Sequence, residues 1–401
     1  MITLKKLRWD NCFSYGPGNV LDLEENTVTQ IIGTNGMGKS SIPLIIEEAL
    51  FNKNSKGIKK ADIPNRYINN GYSIYLEFTK DSDKYTVSID RKSNIKVAFL
   101  KNGEDVSSHT ATNTFKTIQE VIGTDFKTFS QLVYQNTNAS LQFLTATDTT
   151  RKKFLIDLLH LEEYVELFEL FKGVSKDLSL EVSAIRSKIA TVDKWLSDNK
   201  LSDTTVLPIV EIENDTEELG NQFRSLTKEI ENISEKNKKI SQNNQYIDLL
   251  KKAFSTNGLI AYKIENLVKE LEELVNTYLG ELSDGRFTLE FVVSNDKLNV
   301  QITDNGNIVD ILALSSGELA RVNTATLIAI RKLMSSISKS RINILFLDEV
   351  INVLDETGRE KLVEVLLGEE NLNTYVVSHG WTHPLLEKIE VVKRENVSAL
   401  E

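Results

Sequence analysis

Two long amphipathic runs in the middle of the chain constrain its architecture more than any other feature. Phe171, Val174, Leu178, Val182, Ile185, Ile189, Val192 and Leu196 follow at steps of 3, 4, 4, 3, 4, 3 and 4, an apolar seam with one irregular heptad step. A polar break follows, "SDNKLSDTTVLP", with Pro208 in it. A second run starts at Leu219, passes Phe223, Leu226, Ile230 and Ile233, and resumes at Ile240, Ile247, Leu250 and Phe254. Asn237 and Asn244 fall on seam positions, where a polar side chain costs stability and fixes register. Globular composition flanks both runs, so the helices must bring the chain back to the body it left. An antiparallel coiled-coil hairpin is therefore expected over residues 156–256, between an N-terminal half, 1–155, and a C-terminal half, 257–401. Two ordinary amphipathic helices are the plainer alternative. At ~1.5 Å per residue, arms of roughly 40 residues are about 60 Å long.

The flanking halves alternate strand and helix patterns. "ITLKKLRW" and "NVLDLEE" alternate apolar and polar residues around a Gly16–Gly18 turn. "VTQIIG" reads as a buried strand, and "SSIPLIIEEALF" as a helix with Pro43 in its first turn, where proline is tolerated. "YSIYLEFT", "KYTVSIDR" and "KVAFLKNGE" read as hairpin strands. After the hairpin, "IENLVKELEELVNTYLGEL" and "SSGELARVNTATLIAIRKLM" are helical. "RFTLEFVVS" and "KLNVQITDNGNIVD" form a strand pair, and "INILFLDEV" and "NTYVVSHG" are buried strands. The predicted class is α/β: a mixed sheet covered by helices.

Three motifs carry chemistry. Gly33-Thr-Asn-Gly-Met-Gly38-Lys39-Ser40 matches G-x-x-x-x-G-K-[ST], between a strand and a helix. Its glycines let backbone amides close around phosphate, at the positive end of the following helix. Lys39 reaches the β- and γ-phosphates of such a ligand, and the Ser40 hydroxyl holds Mg²⁺. "NILFLDEV" ends a strand on Asp348, which would act on Mg²⁺ through water, and Glu349, which would polarise an attacking water. "LALSSGELAR" sets Ser315, Ser316 and Gly317 at a helix start, a second phosphate-binding end. Ser315 with Glu318 also fits a plain capping box, and the two readings are compatible.

The glycine loop, Gln135, "LSSGE", "LFLDE", "NVLDE" and "VVSHG" occur in that order. The chain thereby resembles the ATPase heads of the SMC-related and ABC-type superfamily, in which the LSGGQ-like signature of one head completes the ATP site of another. Ser316 departs from the commoner glycine of that signature. Lys39 and Ser315 stand 276 positions apart (315 minus 39) with the hairpin between them, which is the SMC-like arrangement rather than the transporter one. Within it, "LVYQNTNASLQFLTATDTTRKKFLIDLLHLEEY" and "LKKAFSTNGLIAYKIENLVKELEELVNTYLGELSDGRFTLEF" resemble the segments that enter and leave the coiled coil in SbcC-type proteins. That class includes the Rad-type double-strand-break repair ATPases, and the lean hairpin leans toward a bacteriophage member.

The resemblance implies an ABC/SMC-type P-loop ATPase head assembled from N- and C-terminal halves, and it assigns roles by matched position. Asn35, Gly36, Gly38, Lys39, Ser40 and Ser41 bind ATP. Gln135 senses the γ-phosphate and Mg²⁺, with Ser40 and Asp348 at the metal. Glu349 is the catalytic base and His379 the switch that contacts the γ-phosphate. Ser315, Ser316 and Gly317 grip the partner head's γ-phosphate, and Asp355 lies where two heads touch. Arg8 is near a position that often approaches nucleotide in this family.

The implied function is an ATP-hydrolysing, DNA-binding subunit of a nuclease complex for DNA end processing, recombination and repair. Two heads sandwich ATP and gate access of double-stranded DNA to a partner SbcD-type, metal-dependent nuclease. Residues of about 150–175 and 245–275 are the candidate docking stretches; packing against each other and the head alone is the alternative use. A RecF-like or SMC-like DNA clamp or tether without a nuclease partner is the rival. A net charge of −11 leaves room only for a local basic patch, although Lys and Arg number 47. One cysteine, Cys12, and four histidines exclude an intrachain disulfide, argue against a His/Cys metal cage, and rule out the Cys-x-x-Cys apex hook of long family members. The arms are naturally short, or shortened, or only partly included. No apolar run reaches the roughly 18–20 residues of a membrane span, so a cytoplasmic location is expected, in the host if the source is a phage.

Overall fold

The computed structural model describes every residue except 69, 137–142, 159–160, 199–214, 256, 295–296 and 338–340. Two compact units make up the chain: Met1–Leu159 with Asn266–Glu401, and His160–Glu265. The N-terminal part supplies β1 (Ile2–Asp10), β2 (Asn19–Asp22), β3 (Val28–Ile32), α1 (Ile42–Phe51), β4 (Tyr72–Lys80), β5 (Asp83–Arg91), β6 (Ile95–Lys101), β7 (Glu104–Asp105), α2 (Ala111–Ile122), α3 (Phe126–Val133), β8 (Tyr134–Asn136) and α4 (Asp148–Leu158). Then come α5 (Glu162–Asp198), α6 (Asp215–Phe254) and α7 (Leu259–Ser283). The C-terminal part adds β9 (Phe287–Ser294), β10 (Lys297–Asp304), β11 (Asn307–Val309), α8 (Ser316–Ile337), β12 (Ile344–Asp348), α9 (Glu356–Leu367), β13 (Asn373–Ser378), β14 (Glu387–Arg394) and β15 (Val397–Leu400).

The central sheet of the first unit has the order β15-β14-β3-β13-β12-β8. All neighbours run parallel except β14 and β15. β12 is buried along its whole length and β13 from its second residue on, as expected of parallel strands covered on both faces. β3 and β8 come from before the helical runs and β12 to β15 from after them, so neither half can build this sheet alone. Register brings four strand ends to one edge: Ile32 pairs with Ser378 and Glu390, Asp348 with Val377, and Asp348 with Asn136. Ligands of open α/β sheets sit at such a carboxyl edge.

A second, antiparallel sheet has the order β2-β1-β4-β5-β6-β7. Its alternation follows the period of two: Ile74, Leu76 and Phe78 are buried, and Phe78, Tyr85 and Phe99 stack at 5.1–6.5 Å between ring centroids. The stretch "KLNVQITDNGNIVD" was expected as one strand of a pair. It folds into two, β10 and β11, because Asn305 and Gly306 both take positive φ (48° and 83°), the conformation of a tight hairpin turn.

Asn343 stitches the two halves. It accepts from the Leu4 amide at 2.8 Å, and its own amide donates to Leu4 O at 3.3 Å and Asn373 Oδ1 at 3.0 Å. Asn343→Ala orphans a buried backbone amide. It is expected to cost about 1–3 kcal/mol, read as a lower denaturant midpoint of the full chain.

In the second unit α5 and α6 pair antiparallel. Ser175 donates to Asp248 at 2.8 Å, Asn244 to Ser179 at 3.4 Å, and the Tyr164 and Phe171 rings meet Phe254 at 5.9 and 5.5 Å. One partner number rises as the other falls. The carbonyl oxygens of the Asn237 and Asn244 side chains are buried, which puts both on the seam. Three expected seam positions are exposed: Val174, Val192 and Leu250 at 38, 37 and 38 %, while Ser175 is 5 % exposed and gives its hydroxyl to Asp248. A small side chain with a hydrogen bond across the pair replaces the apolar knob at the irregular step. The side chains of Leu196, Leu219, Phe223 and Leu226, and the break around Pro208, lie outside the described residues.

Candidate active site

The loop after β3 is shaped by what crowds it. Gly33 and Gly38 have φ of 148° and 101°. A Cβ on Gly33 would stand 2.8 Å from Val391 O, and one on Gly38 only 2.0 Å from Ser14 Oγ. No other residue fits either place. Ser14 Oγ donates to Met37 O at 3.3 Å and the Tyr15 hydroxyl to Gly38 O at 3.1 Å, so the strand turn before β2 braces the loop. Burial drives the Tyr15 phenol far above its usual range, and it acts only as a donor. Lys39 to Ser41 make a 3-10 turn that runs into α1, aiming first-turn amides at the loop's hollow. Every residue of α1 is buried, including two carboxylates that the surroundings satisfy. Glu47 accepts from Ser55 N and Ser130 Oγ, and Glu48 from the Tyr72 hydroxyl and Lys60.

Three polar side chains, a lysine, a histidine and a carboxylate, form a chain across the sheet edge. Lys39, 4 % exposed, donates to Gly33 O at 2.6 Å and Thr34 O at 3.1 Å, and its ammonium lies 3.1 Å from His379 Nδ1. His379 Nε2 lies 3.0 Å from Glu349 Oε1. An ammonium can only donate, so Nδ1 accepts and Nε2 carries the proton that goes to Glu349. Burial pulls the Lys39 pKa down, opposed by the charges of Asp348 and Glu349. Glu349 sits in left-handed backbone (φ 62°, ψ 1°) just past β12. That conformation is costly for a side-chain-bearing residue and swings its carboxylate away from the strand line.

Asp348 is 6 % exposed. Its Oδ2 accepts from the Tyr134 hydroxyl at 2.6 Å, and its Oδ1 is buried without a protein partner. An orphaned buried carboxylate oxygen whose charge acts on Lys39 suits a hard, oxygen-liganded cation, so the residues present fit Mg²⁺. Burial, followed by the Asp348 charge, pushes the Tyr134 phenol well above its usual range. Gln135 pairs with Leu347 in the sheet, is buried, and turns its amide onto Gln131 O. Buried Arg151 donates to the carbonyls of Phe143, Leu144, Ala146 and Leu298, fastening residues 143–146 to β10.

A cavity of about 1040 Å³ gathers Asn35, Gly36, Gly38, Lys39, Ser40, Ser41, Glu349 and His379. Phe13, Asn65, Arg66, Tyr67 and Lys393 also line it, none of which local sequence pattern marks. Ser315, Ser316, Gly317 and Asp355 do not line it. Ser315 caps α8: its amide and hydroxyl donate to Glu318 Oε2 at 2.9 and 2.8 Å, and Glu318 N donates back at 3.4 Å. The expected capping box is therefore present. It holds the Glu318 carboxyl below the usual range, with Arg286 adding to the effect. The first-turn amides of Ser316 and Gly317 have no intrahelical partners there. Asp355 caps α9 through Gly358 N and takes both oxygens to Arg321 of α8 at 2.9 and 2.8 Å. Arg8 does not approach the loop. It lies 5.4 Å from the Tyr75 ring centroid, in a separate hollow on the antiparallel sheet.

No family model matches the chain. It is 29 % identical to "Probable exonuclease subunit 2" of Escherichia phage T5, in an alignment of 615 positions that covers 100 % of both chains. That is far longer than the 401 residues here, so the alignment opens long gaps in this chain. It is 26 % identical to "Exonuclease subunit 2" of Escherichia phage RB69 over 69 % of this chain and 49 % of that one, about half its length. It is 25 % identical to the "DNA double-strand break repair Rad50 ATPase" of Methanococcus maripaludis over 60 % of this chain and 24 % of that one. In structure it is similar to the Smc head domain with an extended coiled coil from Pyrococcus furiosus. The TM-score is 0.60 at 16 % identity, over 100 % of this chain and 96 % of that one. The fold is that of an ABC/SMC-type ATPase head, and the chain's resemblance, in sequence and in architecture, is to the SbcC-type, SMC-related ATPases.

Proposed function

We propose that the chain is the ATP-hydrolysing, DNA-binding subunit of a nuclease complex that processes DNA ends in recombination and repair. The observation that carries this reading is the cavity at the sheet edge. It holds a phosphate loop, a buried lysine, a histidine and a carboxylate, while the Ser315–Gly317 helix start stays outside it. In this reading the site is half-built in one copy, and a second copy lays its Ser316 and Gly317 amides over the bound triphosphate.

Within the site, Lys39 and the loop amides neutralise and orient the phosphates. Ser40 and Asp348 would hold Mg²⁺, with Gln135 close by in the sheet; the ion would supply charge neutralisation of the triphosphate. Glu349 orients the attacking water and takes its proton, and His379, fixed between Lys39 and Glu349, keeps that carboxylate aimed. Because the trans contact requires the terminal phosphate, hydrolysis releases it and the heads part. Asp355, tied to Arg321 of the signature helix, sits where it would feel that parting.

The names of the relatives support a nuclease partner of the SbcD type and double-stranded DNA as the polymer held. The second unit offers candidate docking residues within the stretches of about 150–175 and 245–275: Leu170, Tyr246, Leu249 and Tyr262 are each 59–68 % exposed. The test is duplex cutting by the manganese-dependent nuclease that copurifies with the chain. Cutting that changes with ATP and with Glu349→Gln supports ATP gating. Cutting indifferent to both removes it and leaves the clamp reading. Tyr246→Asp with Leu249→Asp is expected to weaken copurification at least about tenfold, from loss of buried aromatic and aliphatic anchors. Unchanged recovery of the nuclease would place docking elsewhere.

A further inference from the structure

The end of the last hairpin, at Lys393 and Asn396, lines the cavity at the sheet edge. β14 and β15 pair antiparallel from Val391↔Leu400 to Arg394↔Val397, with Glu395 and Asn396 in the turn. The hairpin is clamped to the phosphate loop at two places. On one side β14 runs parallel to β3, and the Val391 carbonyl occupies the space that Gly33 leaves by having no Cβ. On the other, Ser398 N donates to Ser14 O at 2.8 Å and Gly16 N donates to Ser398 O at 3.0 Å. Ser14 is the residue whose hydroxyl braces Met37. A hairpin fastened at both flanks holds its end residues in a fixed place.

Lys393, at that end, lines the cavity that contains Lys39. It also lines the adjoining hollow with Gly33, Thr34, Asn35 and His379. Phe13, Arg66 and Tyr67 line only the first. Lys393 is thus shared with the tip of the phosphate loop and with His379, the residue that the family resemblance assigns to the terminal phosphate. Its neighbour Arg394 is engaged by Glu401. Lys393 has no carboxylate within ion-pair distance among the described residues. A triphosphate with Mg²⁺ still brings about two negative charges, more than one buried lysine balances.

We propose that Lys393 is a second phosphate-binding cation of this site and acts on the terminal phosphate, so that the C-terminal hairpin distinguishes ATP from ADP. The inference rests on the nucleotide reading of the cavity. The Lys393 side chain is exposed and makes no hydrogen bond or ion pair among the described residues, so its replacement leaves the fold intact, which a thermal melt of each variant checks.

The experiment titrates fluorescent ATP and ADP analogues with Mg²⁺ onto the full chain and its Lys393→Met, Lys393→Arg and Lys39→Ala variants. Lys393→Met is expected to weaken ATP binding about tenfold, the loss of one charge-assisted contact, and ADP binding by no more than about twofold. Lys393→Arg is expected to restore ATP affinity to within about threefold. ATP affinity unchanged in Lys393→Met, with binding lost in Lys39→Ala, overturns the role of Lys393 alone. An equal loss for ATP and ADP overturns the assignment to the terminal phosphate. Full ATP binding by Lys39→Ala brings down the nucleotide reading itself, and this proposal with it.

Discussion

Glu349→Gln is expected to lower ATP turnover by about 10²–10⁴-fold, the range for removing a positioned general base, while ATP binding persists. The substitution is nearly isosteric. The glutamine carbonyl still accepts from His379 Nε2, so the chain Lys39–His379–Glu349 keeps its geometry. What is lost is the basic oxygen and nothing else. Arrested before hydrolysis, the variant is expected to accumulate as an ATP-dependent dimer in light scattering, where the unaltered chain dimerises only transiently. Turnover within a few-fold of normal would assign the base elsewhere. A dead variant that stays monomeric with ATP would break the link between nucleotide and head engagement.

Gly317→Glu is the second large effect, and it separates the chain's own fold from its use by a second copy. A Cβ at Gly317 meets nothing within 4 Å. A carboxylate in the first turn of α8 is favourable to that helix, since it faces the positive end of the dipole. The isolated head should therefore melt as before and bind ATP as before. Turnover should fall by about 10²-fold or more, because a like charge against the partner's triphosphate costs several kcal/mol. Normal turnover would show that the start of α8 never meets phosphate.

Much of this was legible in the sequence wherever the signal is local. The glycine loop, the apolar strand ending in Asp348-Glu349 and the Ser315–Glu318 box each sit within a dozen residues. Each is dictated by the backbone conformation it must adopt. The paired seams were legible for the same reason, Asn237 and Asn244 included, although Val174, Val192 and Leu250 turn outward. What local pattern does not mark is the company each residue keeps. Tyr134 beside Asp348 follows from β8 adding to the sheet edge after β12, a pairing across 214 positions. The brace of Ser14 and Tyr15 depends on a turn packed under a loop more than twenty residues on. Lys393 reaches the cavity because β14 lies next to β3, an order that no periodicity encodes. Val174 and Ser175 exchanged places because one hydroxyl found Asp248 on the opposite helix. Arg8 lies on a different surface from the loop because its strand belongs to the antiparallel sheet.

The central claim is that one ATP site needs two copies of the chain. Mixing Lys39→Ala with Gly317→Glu tests it most directly. Each protein alone should be inactive, the first for want of a phosphate-binding lysine and the second for want of a usable signature. In a mixed symmetric pair one site carries both defects and the other carries neither. Random exchange then makes about half the dimers mixed and about a quarter of all sites intact. Recovery of about a quarter of normal ATP turnover on mixing two inactive proteins is the result expected. A mixture as inactive as its parts, with mixed dimers demonstrated, would contradict a site shared between heads.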